Sequence, residues 1–318
     1  MGNRFQEEIA AALAAVERED ATPIERVEML VEIAMGLQHK PKSPEQLLGA
    51  VDLYRKALEI CPEGETLLAA RTTARMATAL QAVPSDDPAF LDEARRALEG
   101  ARPVLETEGT AEEVAEVDMN LGLVLQGLAG LGRARITDAI SAHQRALRVF
   151  RSTTHPKEFA ILQNNLATAF LSVPMTDERA AMREALAVSS FEEGLKVVNL
   201  VDHPAEYAML QNNLGNALQY ASSSHAVENN LRALEAYDEA LRVRTRRDMP
   251  VAHANTLANK ANCLANLPDD PERPEAGNPE NLAEARRLLR EAAAIFEEHG
   301  DLGKAALVAE ALAGIEVH

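Results

Sequence analysis

Asparagine recurs in one stretch of the sequence at the spacing of a helix face. Asn255, Asn259, Asn262 and Asn266 follow one another at intervals of 4, 3 and 4 residues, so their side chains share one face of a single helix. Asparagine is a poor residue for a helix interior, because its amide competes for nearby backbone groups. An amide carries both donors and acceptors, so a row of them can pair with the backbone of an extended peptide. The pattern indicates either recognition of a peptide or hydrogen bonds between neighbouring helices.

The same face recurs in other copies of an internal repeat. The clearest two copies read Ala-Ile-Leu-Gln-Asn-Asn-Leu-Ala-Thr-Ala-Phe at 160–170 and Ala-Met-Leu-Gln-Asn-Asn-Leu-Gly-Asn-Ala-Leu at 208–218. Three more segments align with them without gaps. The residues equivalent to the second Asn, at intervals of 45, 45, 48 and 46 residues, are Arg75, Asn120, Asn165, Asn213 and Asn259. Copies at such intervals indicate an array of stacked structural units.

Each unit also contains a second helical segment, in which a small residue precedes a large one by four positions. The four clear copies are Ala50-x3-Tyr54, Ala139-x3-His143, Ala187-x3-Phe191 and Ala233-x3-Tyr237. This spacing places both residues on one apolar face, where the small residue lets the neighbouring helix approach. Pro156, Pro204 and Pro250 stand where the first helices of three pairs begin, a position at which proline is tolerated.

These patterns predict an all-α protein that forms a single domain over residues 1–318. The predicted parts are an N-terminal helix within 1–20, six helix pairs over 21–300 and a capping helix within 301–318. Stacking of the pairs on one another would form an α-solenoid.

The repeat resembles the tetratricopeptide family, whose pattern combines Leu-Gly, Ala-x3-aromatic and a following proline. The best copy consists of Leu214-Gly215-x2-Leu218, Ala233-x3-Tyr237 and Pro250. It is similar to the long-period bacterial repeats with Gln-Asn-Asn-Leu-Gly motifs. Gln163 and Gln211 occupy the tryptophan position of the family, and the period is about 46 residues rather than 34. The resemblance implies a right-handed α-solenoid, and an array of HEAT or armadillo repeats is the alternative fold.

In tetratricopeptide proteins the first helix of each pair lines a concave groove, so the resemblance implies a set of residues that face a bound peptide or partner. The set is Arg71, Arg75, Asn120, Asn165, Thr168, Asn213, Asn216, Tyr220, Asn255, Asn259, Asn262 and Asn266. The two arginines can bind a carboxylate in two-pronged fashion, or pair with local acids. The alternative for the asparagines is a structural role between helices, which we expect for Asn164 and Asn212.

The sequence predicts no catalytic residue, no metal site and no cofactor. It contains no phosphate-binding glycine loop, no nucleophile elbow and no His-Glu-x-x-His motif. The only two cysteines, Cys61 and Cys263, have no metal-binding spacing and are interpreted as reduced thiols. Neither an apolar stretch of membrane-spanning length nor a secretion signal is recognisable, so the expected location is the cytoplasm.

The charge narrows the class of partner. The chain has 32 basic and 50 acidic residues and a formal net charge of −18, which disfavours nucleic acid as a partner and favours a basic protein or peptide. The predicted function is that of a protein-interaction scaffold or adaptor that captures a peptide or helix of another protein in its groove. The alternative is a sensor or regulatory subunit that binds a small molecule or signal peptide and controls a separate effector.

Overall fold

A computed structural model describes residues 14, 16, 21–39, 41, 43–174, 179–221 and 225–316. These residues form α-helices, one short 3-10 turn at Pro274–Ala276, and no strand. The helices are α1 (Pro23–His39), α2 (Pro44–Ile60), α3 (Thr66–Ala82), α4 (Ala89–Glu108), α5 (Ala111–Gly130), α6 (Ile136–Ala146), α7 (Pro156–Leu171), α8 (Arg179–Leu195), α9 (Pro204–Gln219), α10 (Ala226–Leu241), α11 (Pro250–Ala265), α12 (Pro279–Glu298) and α13 (Leu302–Glu316).

The helices pack as six successive hairpins, α1/α2, α3/α4, α5/α6, α7/α8, α9/α10 and α11/α12, and α13 packs on α12. The predictions of an all-α class and of paired helices are therefore confirmed. The predicted N-terminal helix lies outside the described residues, apart from Ala14 and Val16.

The chain divides between Phe150 and Arg151 into two compact units, here called the N-terminal unit and the C-terminal unit. The first contains α1–α6 and the second contains α7–α13. A single domain over residues 1–318 stays a prediction.

Within each unit the first helices of the hairpins form a row. In the N-terminal unit α1 contacts α3 and α3 contacts α5; in the C-terminal unit α7, α9 and α11 contact one another in turn. The final helix α13 contacts α11 as well as α12, so it continues this row. Ala305 and Val308 are its buried residues, whereas Leu302 and Leu307 are 70% and 66% exposed.

Helix starts follow the local chemistry of the sequence. Proline occupies the first turn of α2, α7, α9, α11 and α12, where its missing N–H has no helical partner to lose. Helix α5 begins instead with a capping box, in which Thr110 Oγ1 accepts from the Glu113 backbone N–H at 3.2 Å and Glu113 accepts from the Thr110 N–H at 2.9 Å. These signals mark where the hairpins α5/α6, α7/α8, α9/α10 and α11/α12 begin.

In the hairpins α5/α6 and α9/α10 a ring of the second helix packs on a glycine of the first. A Cβ atom on Gly215 would lie 2.6 Å from a carbon of the Tyr237 ring, and one on Gly122 would lie 2.3 Å from the His143 ring. Glycine is needed at both places because the helices approach too closely for a side chain. The Tyr237 hydroxyl donates to Asn216 Oδ1 at 2.8 Å, which ties this asparagine to the hairpin core.

His143 differs from the tyrosines in lacking a hydrogen bond. Its ring is fully buried, and neither nitrogen has a partner among the described residues. Burial lowers the pKa of His143 to about 4, because the charged imidazolium would lose its hydration. The ring is therefore neutral at physiological pH.

None of the described helices combines the length and apolar character that a membrane span needs.

Candidate functional site

The residues predicted to face a partner lie on first helices or at their C-terminal ends. Arg71 and Arg75 lie on α3, Asn120 on α5, Asn165 and Thr168 on α7, Asn213 and Asn216 on α9 with Tyr220 after it, and Asn255, Asn259 and Asn262 on α11 with Asn266 after it. Most of them belong to one or both of two features. The first is a chain of hydrogen-bonded amides in the C-terminal unit, and the second is a pair of pockets that lie between neighbouring first helices.

The chain of amides, here called the amide ladder, joins Asn165, Asn164, Asn213, Asn212 and Asn259. Asn213 Nδ2 donates to Asn164 Oδ1 at 2.8 Å, between α9 and α7. Asn259 Nδ2 donates to Asn212 Oδ1 at 3.4 Å, between α11 and α9. Within each helix the first amide donates to the second, at 3.3 Å for Asn164 to Asn165 and 3.1 Å for Asn212 to Asn213. One line of carboxamides therefore connects three hairpins.

Burial indicates what the ladder does. Asn164 and Asn165 are each 6% exposed and Asn212 is 7% exposed. A buried amide without hydrogen bonds costs about 1–3 kcal/mol, so the two bonds between helices stabilise the stacking of hairpins. Among the described residues, Asn165 Nδ2 is buried without a partner. Asn164 and Asn212 thus lie at the repeat interface, as the sequence predicted. Asn165, Asn213 and Asn259 take part in the same contacts, and their role in binding stays a prediction.

Of three other predicted residues, two make local hydrogen bonds and the third is exposed. The Thr168 hydroxyl donates to the Asn165 carbonyl at 2.9 Å, and Asn266 Nδ2 donates to the Asn262 carbonyl at 2.7 Å. Both bonds stay within the local helix turn. Tyr220 is 69% exposed at the end of α9. The structure does not gather these three side chains into one site.

The first pocket, here called the N-terminal pocket, lies between α3 and α5 above Leu105 of α4 and has a volume of about 100 Å³. On one wall Arg71 Nε donates to Glu113 Oε1 at 2.6 Å and Arg71 Nη2 donates to Glu113 Oε2 at 3.3 Å. The hydrogen bond from Arg71 holds the pKa of Glu113 below its usual range. The guanidinium of Arg71 is thus paired with a local acid, which is one of the two alternatives from the sequence.

Two further side chains of the N-terminal pocket have no such partner. Arg75 is exposed on α3 and Asn120 is half-buried on α5, and both line the cavity. Neither side chain makes a hydrogen bond or an ion pair with any residue that the structure describes. The Arg75 guanidinium can therefore offer its N–H groups to a carboxylate, and the Asn120 amide can pair with a peptide group.

The second pocket, here called the C-terminal pocket, lies between α11 and α13 and has a volume of about 190 Å³. Its α11 wall consists of Asn255, Ala258, Asn259 and Asn262, its floor of Leu289 and Phe296, and its α13 wall of Lys304, Leu307, Val308 and Ala311. Within the described part of the chain, the carboxamides of Asn255 and Asn262 have no hydrogen-bond partner. Free amides therefore face an apolar wall across this cavity.

The two pockets occupy equivalent places in the repeat. Each lies between one first helix and the next, and Leu105 and Phe296 hold matching positions on the second helices beneath them. Arg71 and Arg75 of α3 correspond to Asn255 and Asn259 of α11. The same backbone arrangement thus presents cations in one unit and amides in the other.

Sequence reasoning missed the α13 wall of the C-terminal pocket. Lys304, Val308 and Ala311 occupy the positions on α13 that Glu113, Val117 and Asn120 occupy on α5. The α13 wall of one pocket is therefore equivalent to the α5 wall of the other. The only signal was the spacing of apolar residues along α13, which was interpreted as a cap rather than as a further first helix.

No cluster of three or more histidine, cysteine, aspartate or glutamate residues suited to a metal ion occurs among the described residues. The Cys263 thiol is buried, and burial raises its pKa to about 12. A thiol with that pKa is a poor nucleophile at neutral pH.

Comparison with protein-family models gave no match, and neither did comparison with curated proteins. Among solved structures, the chain is similar to a Rap protein complexed with Competence and Sporulation Factor, with a TM-score of 0.52 and 14% identity over 94% of this chain and 77% of that one. BtubC from P. vanneervenii has a TM-score of 0.45 and 18% identity, with 88% and 93% of the two chains covered. A circular tandem repeat protein has a TM-score of 0.24 and 19% identity, with 92% and 70% covered.

The likeness to the Rap protein concerns the fold, because the identity is low. Together with the hairpins and their stacking, it supports a helical-repeat protein with a tetratricopeptide-like arrangement. Proteins of this class are built from stacked repeats, each of which contacts its neighbours.

Proposed function

We propose that this protein is a scaffold or adaptor that captures an extended peptide segment of a partner protein along its first helices. The observation that carries the proposal is the set of unpartnered polar side chains in two equivalent pockets, Arg75 and Asn120 in one and Asn255 and Asn262 in the other. Such groups gain hydrogen bonds from a ligand without losing bonds within the protein.

The chemistry of the pockets suits a peptide. A carboxamide can donate to a peptide carbonyl and accept from a peptide N–H, so Asn120, Asn255 and Asn262 would hold the backbone with little regard to sequence. Arg75 would add a preference for an acidic side chain or a terminal carboxylate. The net charge of −18 would speed the approach of a partner that is basic elsewhere.

A sensor or regulatory subunit is the second candidate function. The Rap protein of similar fold was solved in complex with Competence and Sporulation Factor, so a related arrangement of helices accommodates a bound factor. In that case the same pockets would bind a signal peptide, and binding would control a separate effector.

The test uses a display library of random twelve-residue peptides selected against the full chain. We expect selected peptides to bind the double variants Arg75→Ala/Asn120→Ala or Asn255→Ala/Asn262→Ala at least about tenfold more weakly in calorimetry, a loss of about 1.4 kcal/mol. Arg247→Ala and Gln144→Ala are the matched controls, because both residues are exposed and line neither pocket.

Circular dichroism would establish that each variant keeps its helices. If both double variants bind the selected peptides as tightly as the unaltered chain, the pockets are not the binding surface and the proposal fails.

A further inference from the structure

The C-terminal pocket has two chemically different walls, as a specificity site within the proposed peptide groove would need. Its walls differ in kind: α11 presents the amides of Asn255 and Asn262, whereas α13 presents Leu307 and Val308 over the Phe296 ring on the floor. An occupant must therefore combine peptide groups on one side with an apolar group on the other.

The volume decides how large that apolar group is. Holding a single water takes about 10–15 Å³ of such space, and an apolar cavity of about 150 Å³ takes up a benzene-sized molecule. At about 190 Å³, the C-terminal pocket has room for the side chain of a leucine or a phenylalanine.

The charge balance of the pocket favours a neutral occupant. Lys304 is the only charged residue among the described residues that line it, and Lys304 Nζ lies 2.8 Å from Asp301 Oδ2 and 5.6 Å from the centre of the Phe296 ring. The cation is thus compensated by a carboxylate and an aromatic face. In the equivalent N-terminal pocket Arg75 makes no hydrogen bond or ion pair with a described residue, although Glu113 and Glu116 line the same cavity.

The exposure of Leu307 adds a reason for binding. Its side chain is 66% exposed at the pocket, so an apolar group that covers it removes apolar surface from water on both partners. The amides of Asn255 and Asn262 have no hydrogen-bond partner among the described residues, and they line the wall of the cavity opposite Leu307.

We propose that the C-terminal pocket selects a large aliphatic or aromatic side chain of a bound peptide, while Asn255 and Asn262 bind the peptide groups that flank this side chain. The inference rests on the proposed function and specifies the class of side chain that the groove selects at the C-terminal pocket. It makes Leu307 a specificity residue, and Asn255 and Asn262 the residues that hold the backbone.

The test uses two uncharged probes, N-acetyl-Gly-Gly-Leu-Gly-Gly-amide and the same peptide with alanine in place of leucine. In nuclear magnetic resonance titrations of the full chain, we expect the leucine peptide to shift the side-chain amide signals of Asn255 and Asn262. We expect it to bind about tenfold more tightly than the alanine peptide, because only leucine fills the apolar side of the cavity.

Two variants of α13 form a matched pair. Leu307→Asp places a carboxylate at the pocket and should abolish the preference for leucine over alanine. Leu302→Asp should keep it, because Leu302 is 70% exposed on the same helix and does not line the cavity. Both substitutions are at exposed positions, so the fold should tolerate them, and Ala311→Phe, which fills the cavity without adding a charge, should also abolish the preference.

Equal binding of the two probes, no saturable shift with either, or a preference that survives both Leu307→Asp and Ala311→Phe would overturn the inference. Any of these results would leave the proposed function standing if displayed peptides still depend on the unpartnered residues of the pockets. Failure of the display experiment together with loss of leucine selectivity would reject both.

Discussion

The N-terminal and C-terminal units use one hairpin architecture but join their helices with different chemistry. In the N-terminal unit the carboxylate of Asp118 on α5 is 2% exposed and accepts from Arg102 Nε of α4 at 3.0 Å and from Arg145 Nη2 of α6 at 2.7 Å. In the C-terminal unit neutral amides of the ladder connect α7, α9 and α11. The difference matters because loss of one partner leaves an uncompensated charge in an ion network, whereas in the ladder it leaves an unpaired neutral amide.

The pockets repeat this contrast. A paired Arg71 and an unpaired Arg75 line the N-terminal pocket, whereas Asn255 and Asn259 stand at the same positions in the C-terminal pocket. Since the backbone arrangement is shared, the side chains alone set what each pocket can bind. A repeat array can thus vary its recognition at one place without changing its fold.

The largest expected effect comes from removing the buried carboxylate of the N-terminal unit. Asp118→Ala leaves the guanidinium groups of Arg102 and Arg145 without their shared partner, and we expect a loss of about 3–5 kcal/mol in the free energy of unfolding. Urea unfolding followed by circular dichroism measures it. Asp118→Asn keeps the shape and one acceptor and should cost less, and equal small losses in both variants would mean that the ion network is not a stabilising link.

The next effect is a pH dependence of the free energy of unfolding that comes from His143. An unfolded histidine takes up a proton below its ordinary pKa of about 6.5, whereas the folded ring stays neutral down to about pH 4. The contribution is therefore fully present above pH 6.5 and should fall by about 3 kcal/mol as the pH falls to 4.

His143→Phe is the control for this prediction, because Phe191 fills the same position in α8. Groups common to both proteins, such as Glu113, cancel in the difference between them. Unfolding free energies at pH 4, 5, 6 and 7 should diverge as the pH falls, with the variant losing less. Parallel curves would show that the histidine does not titrate as described.

The smallest of the three effects concerns the amide ladder. Asn164→Ala removes the acceptor of Asn213 and the donor to Asn165, and we expect a loss of about 1–3 kcal/mol with little dependence on pH between 5 and 8. Gln144→Ala, at an exposed amide outside the ladder, should change stability by less than about 0.5 kcal/mol. A similar loss in both variants would indicate a general effect of helix composition rather than a ladder.

Much of the fold could be predicted because its signals are local and repeated. The Ala-x3-large spacing and the Leu-Gly step report how two helices of a hairpin meet, so the ring of Tyr237 could be paired with Gly215 from sequence. The hydrogen bonds of the asparagines could not be predicted from sequence, because the distance between hairpins decides whether Asn213 bonds to Asn164 or to a ligand. Helix α13 was harder still, because its residues are apolar on nearly every side and its exposed face resembles a cap.

A glutamine recurs beside the ring position of three hairpins, and it indicates which side chain a tyrosine at position 143 would meet. The Tyr54 hydroxyl donates to Gln38 at 3.1 Å, the Tyr237 hydroxyl lies 2.8 Å from the Gln219 side chain, and Gln126 stands at the matching place opposite His143. Histidine and tyrosine codons differ at one base. A single nucleotide change would therefore place at position 143 a tyrosine, which takes up no proton between pH 7 and pH 4, so the loss of stability in acid that we predict depends on one base of the gene.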